Sequence, residues 1–118
     1  MNISHKGLGE LVTTFNCAES TTVSKGTLLK IEGGTVEIPS QGESFCGVAA
    51  DDSRNNKIAV QLRGYAKVKF SGSPACGWRY VVVSDDETLE LCDESTTNSH
   101  KILVMDIDPE TNTMGILL

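Results

Sequence analysis

The sequence predicts an all-β protein, built as a small β-barrel or a barrel-like sandwich of about nine or ten short strands. Short apolar runs recur along the chain, separated by turns rich in Gly, Asp and Asn. One longer stretch, residues 57–70, alternates apolar and polar residues as a strand does. No helical periodicity longer than two turns is visible, and no internal repeat stands out.

The chain is organised around residues 57–70, which read K-I-A-V-Q-L-R-G-Y-A-K-V-K-F. Every even position is apolar or glycine, so one face of the strand is apolar and the other faces water. At about 3.3 Å per residue a straight strand of this length would run about 45 Å, more than a small domain spans. We predict that the strand turns a corner at Gly64, where the missing side chain permits a sharp bend.

The N-terminal part of the chain divides into an arm and the start of the domain. Residues 1–10 carry two glycines and little periodicity, which predicts an extended N-terminal arm. Residues 11–118 are predicted to form a single β-barrel-like domain, which is the simplest division of a chain of 118 residues. Residues 11–17 are rich in β-forming residues and predict its first strand.

Two further features lie before the organising strand. Residues 27–31 and 35–38 flank Gly33 and Gly34, and paired glycines between short apolar runs predict a tight hairpin turn. Residues 45–50 form an apolar run with a glycine inside it. Such a run predicts a buried strand in close backbone contact with a neighbour.

The C-terminal part of the chain predicts two more hairpins, one from residues 80–83 and 88–91 and one from residues 101–108 and 114–118. Within residues 101–108 apolar side chains occupy both faces. This pattern predicts a central strand or an oligomer contact.

The bulk composition excludes several classes of protein. Hydrophobic residues make up 39% and charged residues 22% of the chain, which fits a soluble globular protein. A net charge of −6 argues against binding of a nucleic-acid backbone. No apolar run approaches the roughly 20 residues that cross a membrane. The first residues lack the apolar core of a signal peptide, so we expect synthesis in the cytoplasm.

Cysteine and acidic residues could in principle hold a metal, but their spacing does not favour it. The four cysteines lie far apart without a C-x-x-C pair, and we predict buried free thiols rather than disulfides or a zinc site. Residues 106–112 read D-I-D-P-E-T-N, which superficially resembles a calcium loop. Thr111 and Leu117 stand where such a loop requires glycine and glutamate, so we predict a hairpin turn and no cofactor.

Catalysis is poorly supported, and we predict that the chain is not an enzyme. Its two histidines are His5, in the predicted arm, and His100, in what reads as an exposed polar loop. Neither has a partnered nucleophile motif around it. The acid pairs at residues 51–52 and 85–86 fall between strands, where Asp is favoured for local backbone hydrogen bonds.

Two surface features leave several interpretations open. Arg63, Lys67 and Lys69, with Tyr65, form a basic stripe on the polar face of the organising strand. A solvated sheet face is the favoured interpretation, ahead of a contact between subunits or with an acidic partner. The single tryptophan, Trp78, is predicted to lie in the core or in an interface.

Four short motifs occur in an order that resembles a known family. They are V-S-K-G-T-L-L-K-I at residues 23–31, G-E-S-F-C-G-V-A at residues 42–49, I-A-V-Q-L-R-G-Y-A-K-V at residues 58–68 and G-I-L-L at residues 115–118. In this order they resemble the small head decoration proteins, or capsid cement proteins, of tailed bacteriophages. The resemblance covers the chain from about residue 23 to its C-terminus.

The resemblance implies a structural virion protein that decorates and stabilises the outer surface of a capsid. Its partner would be the major capsid protein, with no direct contact with nucleic acid or membrane, and the protein would act as a homo-oligomer, with a trimer favoured. An arm of this kind can order on a partner surface and add a strand to it. The arm and the first strand would make the capsid contact through Ile3, His5, Lys6, Leu8 and Leu11.

Other functions remain open at this point. A tail, baseplate or fibre component would share the same β-rich construction. A carbohydrate-binding module should expose aromatic side chains, and aromatics make up 5% of this chain. A small β-barrel enzyme would need a pocket in which polar groups converge, and the sequence reveals none.

Overall fold

The computed structural model describes residues 10–17, 22–84 and 87–118, and within them it contains ten β-strands and no α-helix. The strands are β1 (Leu11–Asn16), β2 (Leu28–Glu32), β3 (Thr35–Glu37), β4 (Gly47–Ala49), β5 (Lys57–Arg63), β6 (Tyr65–Lys69), β7 (Gly77–Val83), β8 (Leu89–Leu91), β9 (His100–Asp108) and β10 (Thr113–Leu117). The predicted all-β class and the predicted number of strands are confirmed. The predicted arm lies outside the described residues except for Glu10.

The ten strands form two five-stranded antiparallel sheets, as expected for a β-sandwich. The first sheet has the order β1-β5-β4-β2-β3, and the second has the order β6-β10-β9-β7-β8. In neither sheet do the two edge strands pair along their length, so neither sheet forms a closed barrel. β9 lies at the centre of the second sheet, as the apolar residues on both of its faces predicted.

The second sheet repeats the connectivity of the first. Adding five to each strand number of the first sheet gives the order of the second. The first half of the chain is residues 11–63, with β1 to β5, and the second half is residues 65–117, with β6 to β10. In each half, the residue just after the first strand forms an isolated parallel bridge to the third strand. These bridges are Cys17–Val36 in the first half and Phe70–Leu89 in the second. Each sheet therefore curls until its edge strands touch at one point, and the chain consists of two copies of one topology.

Two apolar cores follow from this arrangement. The first core lies within the first half and contains Cys17, Val23, Leu29, Val36, Ala49, Ile58 and Val60. The shared core joins the inner face of the second sheet to three residues of the first half, Leu28, Phe45 and Val48. Adjacent residues of β2 and β4 therefore point into different cores, which explains why both strands are apolar at consecutive positions.

Gly47 shows the close backbone approach that was predicted for residues 45–50. A Cβ at this position would lie 2.5 Å from the backbone oxygen of Gln61 and 2.8 Å from Cγ1 of Val60. Real Cβ atoms do not approach other atoms so closely, so only glycine lets β4 pack against β5 here.

Gly64 separates β5 in the first sheet from β6 in the second. Its φ of 102° lies in a region that favours glycine. The longest dimension of the molecule is 36 Å, shorter than a straight strand over residues 57–70 would be. The backbone N–H of Leu118 donates a hydrogen bond to the Gly64 oxygen at 2.9 Å, so the end of the chain is fixed to the turn.

The structure corrects two expectations about burial. All four cysteines are free, but only Cys17 is buried, and Cys76 is exposed. Trp78 is 61% exposed, so its predicted place in the core is wrong. Trp78 lies on β7 opposite Leu103 of β9, near the edge of the outer face of the second sheet.

Candidate functional site

The most exposed apolar strand of the described chain is β1, at the edge of the first sheet. Five of its six residues are exposed, and only Phe15 is partly buried against the first core. Leu11 is 48% exposed and Val12 is 46% exposed, although both are large hydrophobic residues. Exposed apolar side chains on an edge strand are typical of a surface that contacts another protein.

The register of β1 shows which backbone groups face outward. The N–H of Cys17 donates to the Asn56 oxygen at 2.8 Å, and the pairing with β5 then runs without a shift back to Val12. Hydrogen-bonded positions alternate along an antiparallel strand, so the N–H groups of Thr13 and Phe15 face β5. The N–H groups of Val12 and Thr14 therefore face the open edge.

This outer edge is available for further pairing. Among the described residues, its only pairing with another strand is the Cys17–Val36 bridge, where β3 comes near β1. A row of outward-facing N–H and C=O groups is a template on which a further strand can form hydrogen bonds. The open edge of β1 is therefore the candidate interaction site of the molecule.

The predicted contact residues relate to this edge as follows. Ile3, His5, Lys6 and Leu8 lie outside the described residues. Leu11 is the first residue of β1 and pairs with Arg63, with a register shift between Leu11 and Val12. Since Arg63 precedes Gly64, the open edge begins beside the turn that joins the two sheets.

His100 occupies a different environment from the exposed loop that was predicted. It is the first residue of β9 and is partly buried, with its ring centroid 4.5 Å from that of Phe45. Its Nε2 lies 3.3 Å from Oγ of Ser44, within hydrogen-bond distance. Burial lowers the pKa of His100.

These contacts are part of a group of polar contacts between the two halves of the molecule. In the same loop of the first half, the Gly42 N–H donates to the Val83 oxygen at 2.9 Å. The side-chain amide of Asn98 donates to the Gly42 oxygen at 2.9 Å. A serine and a histidine in contact are also the elements of a nucleophile and its base, which need a third group to orient the histidine. In the described part of the chain, His100 lies within hydrogen-bond distance of Ser44 and against the ring of Phe45, so it forms a contact between the two halves.

A second charged cluster surrounds Lys30. Its Nζ lies 2.7 Å from Oε2 of Glu43, 2.9 Å from Oε2 of Glu32 and 3.6 Å from Oε1 of Glu37. The hydrogen bond from Lys30, together with one from the backbone N–H of Ser40, lowers the pKa of Glu43. The cluster ties the β2–β3 hairpin to the following loop.

The acidic residues that were weighed as chemical groups take part in local structure. Asp51 accepts a hydrogen bond from the N–H of Asp52, and Asp52 accepts one from the N–H of Lys25, both at 2.8 Å. The predicted local hydrogen bond is therefore seen at Asp51, whereas Asp52 bonds a backbone group 27 residues away, and residues 85–86 lie outside the described part. Asp108 accepts a hydrogen bond from the N–H of Glu110 at 3.0 Å within its turn. Across the described ranges no group of three or more His, Cys, Asp or Glu side chains is placed to hold a metal.

An apolar row on the outer face of the second sheet had no counterpart in the sequence analysis. Directly paired residues share a face, and the pairs Trp78–Leu103, Leu103–Leu117 and Leu117–Tyr65 follow one another across four strands. Trp78 is the most exposed member, with Nζ of Lys101 5.9 Å from its ring centroid. In the sequence, the apolar residues on both faces of β9 were the only pattern that could have indicated this row.

The described residues contain no apolar helix of membrane-spanning length. Comparison of the chain with protein-family models, with curated proteins and with solved structures gave no match.

Proposed function

We propose that this chain is a non-enzymatic structural protein that decorates and stabilises the outer surface of a bacteriophage capsid. The observation that carries the proposal is the open edge of β1, where Leu11 and Val12 expose apolar side chains beside outward-facing backbone groups. Such an edge can accept a strand of the major capsid protein through main-chain hydrogen bonds. The two apolar side chains would add contact area to that pairing.

The motif resemblance supports the same function. Its four segments fall on β2, on β4, on the turn between β5 and β6, and on the end of β10. The predicted arm, residues 1–10, leads directly into β1, so an arm that orders on the capsid would extend the open edge. Each contact of this kind is small, and many copies on a symmetric lattice would gain strength through multivalency. In the proposed trimer, three open edges would surround a capsid symmetry axis.

Binding to capsids tests the proposal directly. Labelled full-length protein is mixed with undecorated capsids, which are then pelleted, and the bound protein is measured against the amount added. We expect saturable binding with a fixed number of copies per capsid. Deletion of residues 1–10 should weaken binding and leave the β fold intact. Failure of the full-length protein to bind any shell would refute the proposal, and binding to isolated tails instead would assign the chain to a tail or baseplate.

A proline substitution tests whether capsid binding occurs through the open edge or through another part of the surface. Thr14→Pro removes an outward-facing N–H and leaves the ladder between β1 and β5 intact, because proline is tolerated on edge strands. We expect capsid binding to weaken about tenfold with little change in melting temperature. The matched control is Ile31→Glu, which replaces another exposed apolar residue, 49% exposed, away from this edge. Equal loss of binding in both variants would show that the edge has no special role.

A carbohydrate-binding module is the second candidate, and the exposed ring of Trp78 favours it. An aromatic face that is 61% exposed can stack on a sugar ring. Trp78 is the sole tryptophan of the chain, so its fluorescence reports any ligand that covers it. Titration with soluble glycans should change this fluorescence saturably if the candidate is right, and Trp78→Ala should abolish the binding measured by isothermal titration calorimetry.

A further inference from the structure

A groove of about 410 Å³ lies between the two halves of the molecule. One wall is the segment from Ser24 to Thr27, which leads into β2. The opposite wall is formed by Lys67 and Lys69 of β6 with Glu87 and Thr113. A Cβ on Gly26 would lie 3.9 Å from the backbone oxygen of Lys67, an ordinary van der Waals distance, so the backbones of the two walls run near each other here.

The described residues that line this groove carry a charge opposite to that of the chain. The chain has 16 acidic residues and 10 lysines and arginines, yet the described lining contains three lysines and one glutamate. These lysines are Lys25, Lys67 and Lys69, and all three are exposed. Within the described ranges every recorded salt bridge belongs to Lys30, so the three ammonium groups have no fixed carboxylate partner there.

The spacing of the lysines suggests the shape of a ligand. Lys67 and Lys69 are two residues apart on one strand, so their side chains leave the same face about 7 Å apart. Alternate side chains of any extended peptide repeat at this same distance. Two acidic residues separated by one residue would therefore face the two lysines, one carboxylate to each ammonium group. Ser24, Thr27 and Thr113 also line the groove.

We infer that this groove binds an extended acidic peptide segment whose acidic residues alternate along the chain. Lys67 and Lys69 bind successive carboxylates of the peptide, and Lys25 contacts it from the opposite wall. The site lies apart from the open edge of β1 and does not depend on the proposed capsid function. The partner that binds this second surface would carry a segment of the form Glu-x-Glu or Asp-x-Asp.

Peptide titration with the isolated full-length chain tests the inference. The probe is a fluorescein-labelled peptide of sequence E-T-E-T-E-T, and its fluorescence anisotropy is followed at about 20 mM salt, where charge interactions are weakly screened. Lys67→Gln/Lys69→Gln should lower the affinity about fivefold, since it removes two exposed ion pairs. Lys67→Arg/Lys69→Arg keeps both charges and should retain binding.

A control variant with the same net charge isolates the groove from general electrostatics. Lys57→Gln/Lys101→Gln removes two exposed lysines that do not line the groove, and it should change the affinity less than about twofold. Equal losses in the two double variants would overturn the inference. So would absence of binding to the wild-type chain, or equal affinity for the peptide E-E-T-T-E-T, which has the same composition but no two glutamates separated by one residue. Equal competition by inorganic phosphate would also overturn it, because the site would then bind a single anion.

Discussion

The hydroxyl of Tyr65 donates a hydrogen bond to Oδ2 of Asp106, with 2.8 Å between the two oxygens. The residues lie on β6 and β9, and β10 passes between these strands with Gly115 opposite Asp106. A Cβ on Gly115 would overlap the Tyr65 hydroxyl and would lie 2.5 Å from Oδ1 of Asp106. The tyrosine ring therefore covers the glycine and ties together two strands that are not neighbours.

Tyr65→Phe should destabilise the protein by about 1 kcal/mol, because it removes this hydrogen bond and keeps the ring. Burial, and to a lesser degree the hydrogen bond to Asp106, raises the pKa of Tyr65 from 10.0 to about 12. A raised pKa means that this stabilisation is complete below pH 10 and is lost as the pH rises toward 12. Urea unfolding at a series of alkaline pH values measures the effect. Tyr80→Phe is the control, and an unchanged alkaline slope in Tyr65→Phe would contradict the prediction.

Gly47→Ala should destabilise the protein by about 3 kcal/mol, because the new methyl group would meet the backbone of β5. Gly42→Ala is the matched control, since a Cβ at Gly42 meets nothing within 4 Å and is disfavoured only by a φ of 80°. We expect the control to cost about 1 kcal/mol. Denaturant unfolding compares the two variants, and similar losses would show that β4 can move away from β5 at little cost.

Gly64→Val should lower the melting temperature, because a β-branched residue at a φ of 102° is strained by about 1–3 kcal/mol. Gly64→Asn should be less harmful, since asparagine enters positive φ more readily than valine. Calorimetry of the two variants separates backbone strain from the simple addition of a side chain. A melting temperature unchanged in Gly64→Val would mean that the chain passes this point without a special backbone angle.

Because His100 is partly buried against Phe45 and Ser44, we expect the protein to be less stable in mild acid than at neutral pH. Burial lowers the pKa of His100 below its ordinary value of 6.5, so the unfolded chain binds the proton more readily than the folded one. The stabilisation is therefore present above pH 6.5 and is lost as the pH falls below it. Unfolding free energies between about pH 7.5 and pH 5 measure the slope, and His100→Gln should flatten it. An NMR titration that gives His100 an ordinary pKa would disprove the explanation.

Much of the fold could be predicted because its signals are local. The hairpin between β2 and β3 follows from Gly33 and Gly34, whose φ values of 61° and 84° other residues rarely adopt. Strand ends were less predictable, because they depend on distant partners. β7 begins at Gly77, three residues before the predicted start, since Gly77 to Tyr80 pair with β9.

The repeated topology could not be predicted because the two halves share almost no sequence. Their third strands are T-V-E and L-E-L, and the edge bridge is made by the central residue of the first, Val36, but by the first residue of the second, Leu89.

The candidate sites could be predicted only in part. Leu11 was identified from its place beside the arm, but the strand order that leaves its edge open is a property of the whole sheet. Lys67 and Lys69 were visible as a stripe. Lys25 joins them only after folding, because it lies more than 40 residues away along the chain.

The division of the ladders has a consequence for how the chain acquires its structure during synthesis. All strand pairings of the first sheet lie within residues 11–63, and all those of the second lie within residues 65–117. The first half leaves the ribosome with every one of its pairing partners, and can fold before the second half is translated. We expect Leu28, Phe45 and Val48 then to form an apolar surface against which the second sheet folds. Pulsed hydrogen exchange should show earlier amide protection in β2, β4 and β5 than in β9 and β10.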